Sequence, residues 1–122
     1  MSHKILVVDD DNALREMVGI VLESEGFRVA FHDAGSGALD RFTEEAPDLV
    51  LLDVMLPGKD GFAVLETVRR MKNSPPVLVL TARNRWSDKL TAFQAGADDY
   101  LTKPFLHEEV VTRLRVLHRR AA

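Results

Sequence analysis

No cysteine occurs anywhere in the 122 residues. That excludes a disulfide framework and any thiolate metal site, and it fits a reducing, cytoplasmic setting. No apolar stretch approaches the length needed to span a membrane, and the N-terminus lacks the apolar core of a signal peptide. An excess of positive charge is missing as well: 16 Lys and Arg against 19 Asp and Glu give −3 at pH 7. The chain alone is therefore a poor candidate for binding nucleic acid, which favours a strongly basic surface. No Gly-rich loop comes after any apolar run, which removes a nucleotide-binding module of the phosphate-loop type. Internal repeats and low-complexity segments are absent too. What remains is 46% hydrophobic, enough for one folded domain over residues 1–122 with a proper core. The final "HRRAA" reads as a helix end running into a boundary.

Three short apolar runs are present: "ILVV" 5–8, "LVLL" 49–52 and "VLVL" 77–80. None alternates with polar residues, as expected of strands buried on both faces. "RVAF" 28–31 and "DYLT" 99–102 are more mixed and suit sheet edges. Helical patterns fill the gaps: 12–25 with Asp11 or Asn12 as N-cap, and 36–45 ending before Pro47. Three more run over 62–71 with Asp60 or Gly61 at the start, 87–95 capped by Ser87, and 106–119. Strands alternating with helices five times predict a doubly wound parallel sheet with right-handed crossovers and strand order 2-1-3-4-5.

The first run ends in Asp9, Asp10 and Asp11, three like charges in a row. Two carboxylates about 4 Å apart at a partly shielded site repel by roughly 4 kcal/mol. In such sheets ligands bind outside the carboxyl ends of the strands, so the residues just past each central strand are the informative ones. Asp9 and Asp10 stand after the first, Asp53 after the third, Thr81 at the end of the fourth, and Lys103 with Pro104 after the fifth. Singly, each has a plain reading as a turn residue, a helix cap or a solvated lysine. Jointly they collect three acids, a hydroxyl and an ammonium on one edge. Convergent carboxylates without Cys or His point to a hard cation, Mg²⁺ or Mn²⁺, rather than zinc. Asp53 can act as a nucleophile toward phosphorus, with Lys103 and Thr81 neutralising phosphoryl oxygens.

"VVDDD", "LLDVMLPGKDG", "LVLTA" and "GADDYLTKPF" together resemble the receiver domain of two-component response regulators, over essentially the whole chain from Ile5 to Arg120. The resemblance implies a CheY-like, flavodoxin-like fold and a signalling domain rather than a metabolic enzyme. It implies phosphoryl transfer to Asp53 from a sensor histidine kinase, with Mg²⁺ held by Asp10, Asp53 and the Met55 carbonyl and by Asp9 largely through water. It also implies a cis Lys103–Pro104 peptide, and a switch in which Thr81 moves toward the phosphate while Tyr100 rotates inward. "GADDYLTKPF" with the arginines after it resembles the OmpR/PhoB-type subfamily, in which a winged-helix DNA-binding domain lies C-terminal to the receiver.

That subfamily implies an activated homodimer through the fourth helix, fifth strand and fifth helix. Its charge pairs would be Lys89 with Glu109, Asp99 with Arg113, and Asp98 with Arg120. An apolar patch from Leu90, Phe93, Val110 or Leu114 would supply most of the affinity, and Trp86 would report the switch. A single-domain receiver acting on a protein partner is the nearest alternative. A haloacid-dehalogenase-like phosphatase using Asp9/Asp11, Thr81, Lys103 and Asp98/Asp99 is a remote one: there the Lys would precede the last acid pair, and Asp53 would have no role.

Overall fold

The computed structural model describes residues 3–56 and 60–121. Side chains alternate across each strand, so every central strand feeds two cores. Strands β1 (Lys4–Val8), β2 (Arg28–His32), β3 (Leu49–Leu52), β4 (Val77–Thr81) and β5 (Asp99–Thr102) form one parallel sheet. Its order is β2-β1-β3-β4-β5, as expected. Leu6, Val8, Val50, Leu52, Val77 and Val79 face one layer, with Val64, Leu65 and Val68 of α3 (Gly61–Arg70), Ala38 of α2 (Ala38–Glu45) and Ala92 of α4 (Trp86–Ala95). Ile5, Val7, Leu49, Leu51, Leu78 and Leu80 face the other, against α1 (Asn12–Ser24) and α5 (His107–Ala121). Burial of β3 and β4 is complete along their length, which is why their sequences show no alternation.

Helix starts depart from expectation where backbone conformation outranks side-chain type. The second helix begins at Ala38, not Ser36, because Gly37 adopts φ 75°, a left-handed conformation that cannot extend a helix backwards. The fourth begins at Trp86, with Arg85 extended at its N-cap, so Ser87 lies inside the first turn and is not the cap. The fifth begins at His107. The amide of Leu106 just ahead of it donates to Glu109 Oε1 at 3.0 Å, half of a capping box. Asp11 and Asp60 do cap their helices, accepting from the amides of Leu14 and Phe62.

Register places the strand ends level: Val8 lies opposite Leu52, and Thr81 opposite Thr102. The ladder runs one residue further. The Asp53 amide donates to the Val8 carbonyl at 2.9 Å, the Asp9 amide to the His32 carbonyl at 3.0 Å, and the Lys103 amide to the Thr81 carbonyl at 2.9 Å. Each side chain at this edge thus stands on a hydrogen-bonded backbone. Gly61 starts α3 hard against the residue after Asp53: a Cβ there would lie 2.3 Å from the Val54 Cα.

Candidate functional site

Asp9 and Asp53 are nearly sealed from water, 2% and 5% exposed. Buried carboxylates are costly unless paired and hydrogen-bonded, and every oxygen here has a partner. Asp9 Oδ1 accepts from the Asp11 amide at 2.9 Å and Asp53 Oδ1 from the Met55 amide at 2.8 Å. Their Oδ2 atoms share one donor, the Lys103 ammonium, at 2.8 and 2.9 Å. Asp10 is exposed at the mouth and completes the cluster, with one oxygen from each of Asp9, Asp10 and Asp53 within 4.8 Å of the others. Three carboxylates face one ammonium. Lysine therefore offsets part of the repulsion expected at Asp9–Asp11 and leaves an excess negative charge. Hard oxygen donors of this number suit a cation such as Mg²⁺ or Mn²⁺.

Burial pushes the Asp9 carboxyl above its ordinary value. The opposing pull of Lys103 and of the Asp11 amide does not cancel it, and the charge of Asp53 adds to it. Burial draws Lys103 down, but its hydrogen bonds to Asp9 and Asp53, with their charges, prevail and hold the ammonium above its ordinary value. Both features mark a site where charge is concentrated under low dielectric.

Thr81 is fully buried beside this edge, and its hydroxyl accepts from the Arg83 amide at 3.4 Å. Tyr100 is also inside, 7% exposed, and its hydroxyl donates to the Arg83 carbonyl at 2.7 Å. Burial, helped by the Asp88 charge, holds this phenol above its ordinary value, so it remains a donor at neutral pH. The Lys103–Pro104 peptide is cis. Pro57, Gly58 and Lys59 of "LPGKDG" lie outside the described residues.

The acids of the phosphatase alternative do not gather. Asp11 caps α1. Asp98 Oδ2 accepts from Arg69 and from the Val77 amide, and Asp99 Oδ2 accepts from Arg113 at 2.8 Å. Of the charged groups expected to pair at the dimer face, Asp98, Asp99, Glu109 and Arg113 have partners within the chain. Asp99 with Arg113 is a bond within the chain, Asp98 bonds to Arg69, Arg120 lines the same groove as Asp98, and Glu109 serves the Leu106 amide. The apolar patch needs correction. Val110 and Leu114 are 2% and 0% exposed because α5 turns them into the core, whereas Trp86, Leu90 and Phe93 of α4 are 74%, 43% and 45% exposed.

Three arginines make contacts that residue spacing does not reveal, Arg15 and Arg83 near this edge and Arg69 at the opposite ends of the strands. Arg15 donates to the Asp9 carbonyl at 2.7 Å. Arg83 lies over the Phe62 ring, 5.6 Å from its centroid. Arg69 ties the Gly96 carbonyl, Ser74 and Asp98 together. Each acts through side-chain reach, for which spacing gives no signal.

Comparison with known proteins agrees with this geometry. The family model of the response regulator receiver domain matches residues 5–115. The response regulator MprA of Mycobacterium tuberculosis is 46% identical over 120 residues, covering 98% of this chain and 52% of its own length. The chain thus spans about half the length of the curated relatives it matches. The BeF3-activated N-terminal receiver domain of Klebsiella pneumoniae RstA superposes with a TM-score of 0.89 at 32% identity, covering 95% of this chain and 98% of that one. The receiver domain of Francisella response regulator 1452 does so with a TM-score of 0.92 at 30% identity, covering 99% and 100%.

Proposed function

The chain belongs to the response regulator receiver family, and from that premise we propose that Asp53 is the phosphoryl acceptor of a two-component signalling step. One observation carries the reading: a single ammonium, Lys103, bridges Asp9 and Asp53 from three separate strand ends, with Asp10 closing the cluster. An Asp53 oxygen attacks the phosphorus of a phosphohistidine on a sensor kinase. The new O–P bond forms as the P–N bond breaks, and the imidazole leaves with the electron pair and takes up a proton. Asp9, Asp10, Asp53 and the Met55 carbonyl would hold Mg²⁺ or Mn²⁺, which supplies charge neutralisation for the phosphoryl oxygens. Lys103 neutralises a further oxygen. The domain makes and loses its own acyl phosphate and turns over no other substrate.

Output runs through Thr81 and Tyr100. The Thr81 hydroxyl exchanges its long contact with the Arg83 amide for a phosphoryl oxygen. Tyr100, bonded to the carbonyl of the same residue, carries the shift to α4. A state that gains this hydrogen bond only when phosphorylated is favoured by it. The α4-β5-α5 face then pairs two copies, and a DNA-binding domain in the full regulator reads repeated half-sites. The length of the MprA relatives supports this extension.

Incubation with acetyl phosphate and Mg²⁺ is expected to add one phosphoryl group to the protein and none to Asp53→Asn, read by intact mass. Equal labelling of the variant at the same rate would overturn the assignment.

A further inference from the structure

Two of the three pocket carboxylates belong to the short loop between β1 and α1. Asp9 is held directly, by Lys103 and by the Asp11 amide. Asp10 is not: among the described residues no group donates to its carboxylate, and it stands exposed. Its aim is set by the backbone alone. The decisive peptide is the one joining Asp9 to Asp10, whose carbonyl belongs to the first and whose amide nitrogen belongs to the second. Rotation of that plane swings the Asp10 side chain toward or away from its two partners.

One side chain grips this plane. Arg15 Nη1 donates to the Asp9 carbonyl at 2.7 Å, and Arg15 Nη2 donates to Asn12 Oδ1 at 3.1 Å. The base of Arg15 is fixed as well, since its amide donates to the Asp11 carbonyl at 3.0 Å in the first turn of α1. A planar fork anchored at both ends allows little tilt. We propose that Arg15 is a positioning residue for cation binding: by holding the Asp9 carbonyl it fixes the Asp9–Asp10 peptide and so directs the Asp10 carboxylate into the cluster. This rests on the acidic pocket being the cation site proposed above.

Charge and position make opposite forecasts for the loss of Arg15. A guanidinium beside an acidic pocket repels a cation, so on charge alone its removal tightens binding. If Arg15 acts by position, its removal weakens binding despite the lost repulsion. Outer partners of metal ligands are worth about 10- to 100-fold in affinity, and a partner acting through one peptide belongs at the lower end.

Binding of Mn²⁺ alone, followed by the electron paramagnetic resonance of the free ion, separates the two for wild type, Arg15→Met and Arg15→Lys. Arg15→Met is expected to bind about 10-fold more weakly. Arg15→Lys, which keeps the charge but not the fork, is expected to fall between it and wild type. Labelling by acetyl phosphate in Arg15→Met should need more Mg²⁺ for half-maximal rate yet reach the wild-type rate at saturation. Unchanged or tighter Mn²⁺ binding by Arg15→Met overturns the inference and leaves the cation site standing. Should Arg15→Met fail to fold by circular dichroism, Arg15→Lys decides, and wild-type affinity in it is the overturning result. A wild type that binds no Mn²⁺ overturns the cation site and this inference together.

Discussion

Lys103 neutralises two buried carboxylates with one ammonium, and the balance it strikes depends on pH. Its own pKa is raised in the fold, so its contribution is complete at neutral pH and fades only as pH climbs through that raised value, above 10.5. Asp9 is also raised, and its contribution is likewise lost as pH rises, but in the acid range. Its contribution to stability is full below about 3.8, the ordinary value, and is lost as pH rises through the folded value. At pH 7 without a divalent cation, burying the Asp9 carboxyl is thus a net cost. Asp9→Asn is expected to raise the melting temperature of the metal-free protein at pH 7, by about 4 °C per kcal/mol recovered. The gain should shrink toward pH 4, and the variant should lose most of the stabilisation that Mg²⁺ confers on wild type. Scanning calorimetry at the two pH values, with and without Mg²⁺, checks all three. The acids, Thr81 and Lys103 are legible in the sequence because each sits at the end of its own strand. The grip of Lys103 on both Asp9 and Asp53 is not, since it joins residues 94 and 50 positions apart through a flexible side chain.

At the level of elements, α2 and α4 each bury a single residue among those described, Ala38 and Ala92, but α2 also packs Leu39 and Phe42 against the core, whereas α4 adds only Ala95. Leu90 and Phe93 of α4 are half open to solvent, whereas α1 buries Leu14, Val18 and Leu22, and α3 buries Val64, Leu65 and Val68. A helix with so little apolar anchoring opens locally at low cost. Amide exchange by mass spectrometry is expected to be faster in α4 than in α1, α3 or α5, and to slow when beryllofluoride occupies the phosphoryl position. Unaltered exchange in α4 would count against the coupling through Thr81 and Tyr100. The weakness of α4 also explains why its start is hard to place from sequence. Ser87 has the chemistry of a cap, but little packing fixes the first turn, and the extended backbone of Arg85 sets the boundary. The central strands are plain in the sequence for the opposite reason: both faces of "LVLL" and "VLVL" are buried, and only continuous apolar runs satisfy that.

For the whole molecule, the question is what a partner copy would cover. With Val110 and Leu114 committed to the core, the large exposed apolar side chains that α4 brings to the proposed dimer face, among the described residues, are Trp86, Leu90 and Phe93. Exposed ion pairs contribute about 0–1 kcal/mol each, so apolar contacts such as these would carry most of the affinity, and the charges would set orientation. Sedimentation of the beryllofluoride-treated protein is expected to show a dimer for wild type. For Phe93→Glu, the loss of a central aromatic contact worth about 2 kcal/mol should weaken it roughly 30-fold. Arg113→Glu is a less clean probe, because Arg113 already bonds Asp99 within its own chain. A wild type that stays monomeric at high concentration would reject the face.

The 94 positions between Asp9 and Lys103 also bear on how the chain comes to be made. Synthesis delivers all three carboxylates before their counter-ion. A nascent chain stopped after β3 holds Asp9 and Asp53 with nothing to neutralise them, and a chain severed between α3 and β4 puts the acids on one fragment and the ammonium on the other. Neither piece has a pocket. The proposed uptake of a phosphoryl group therefore becomes possible only once the fifth strand of this sheet is laid down, and a receiver cut short of it has the acids without their counter-ion.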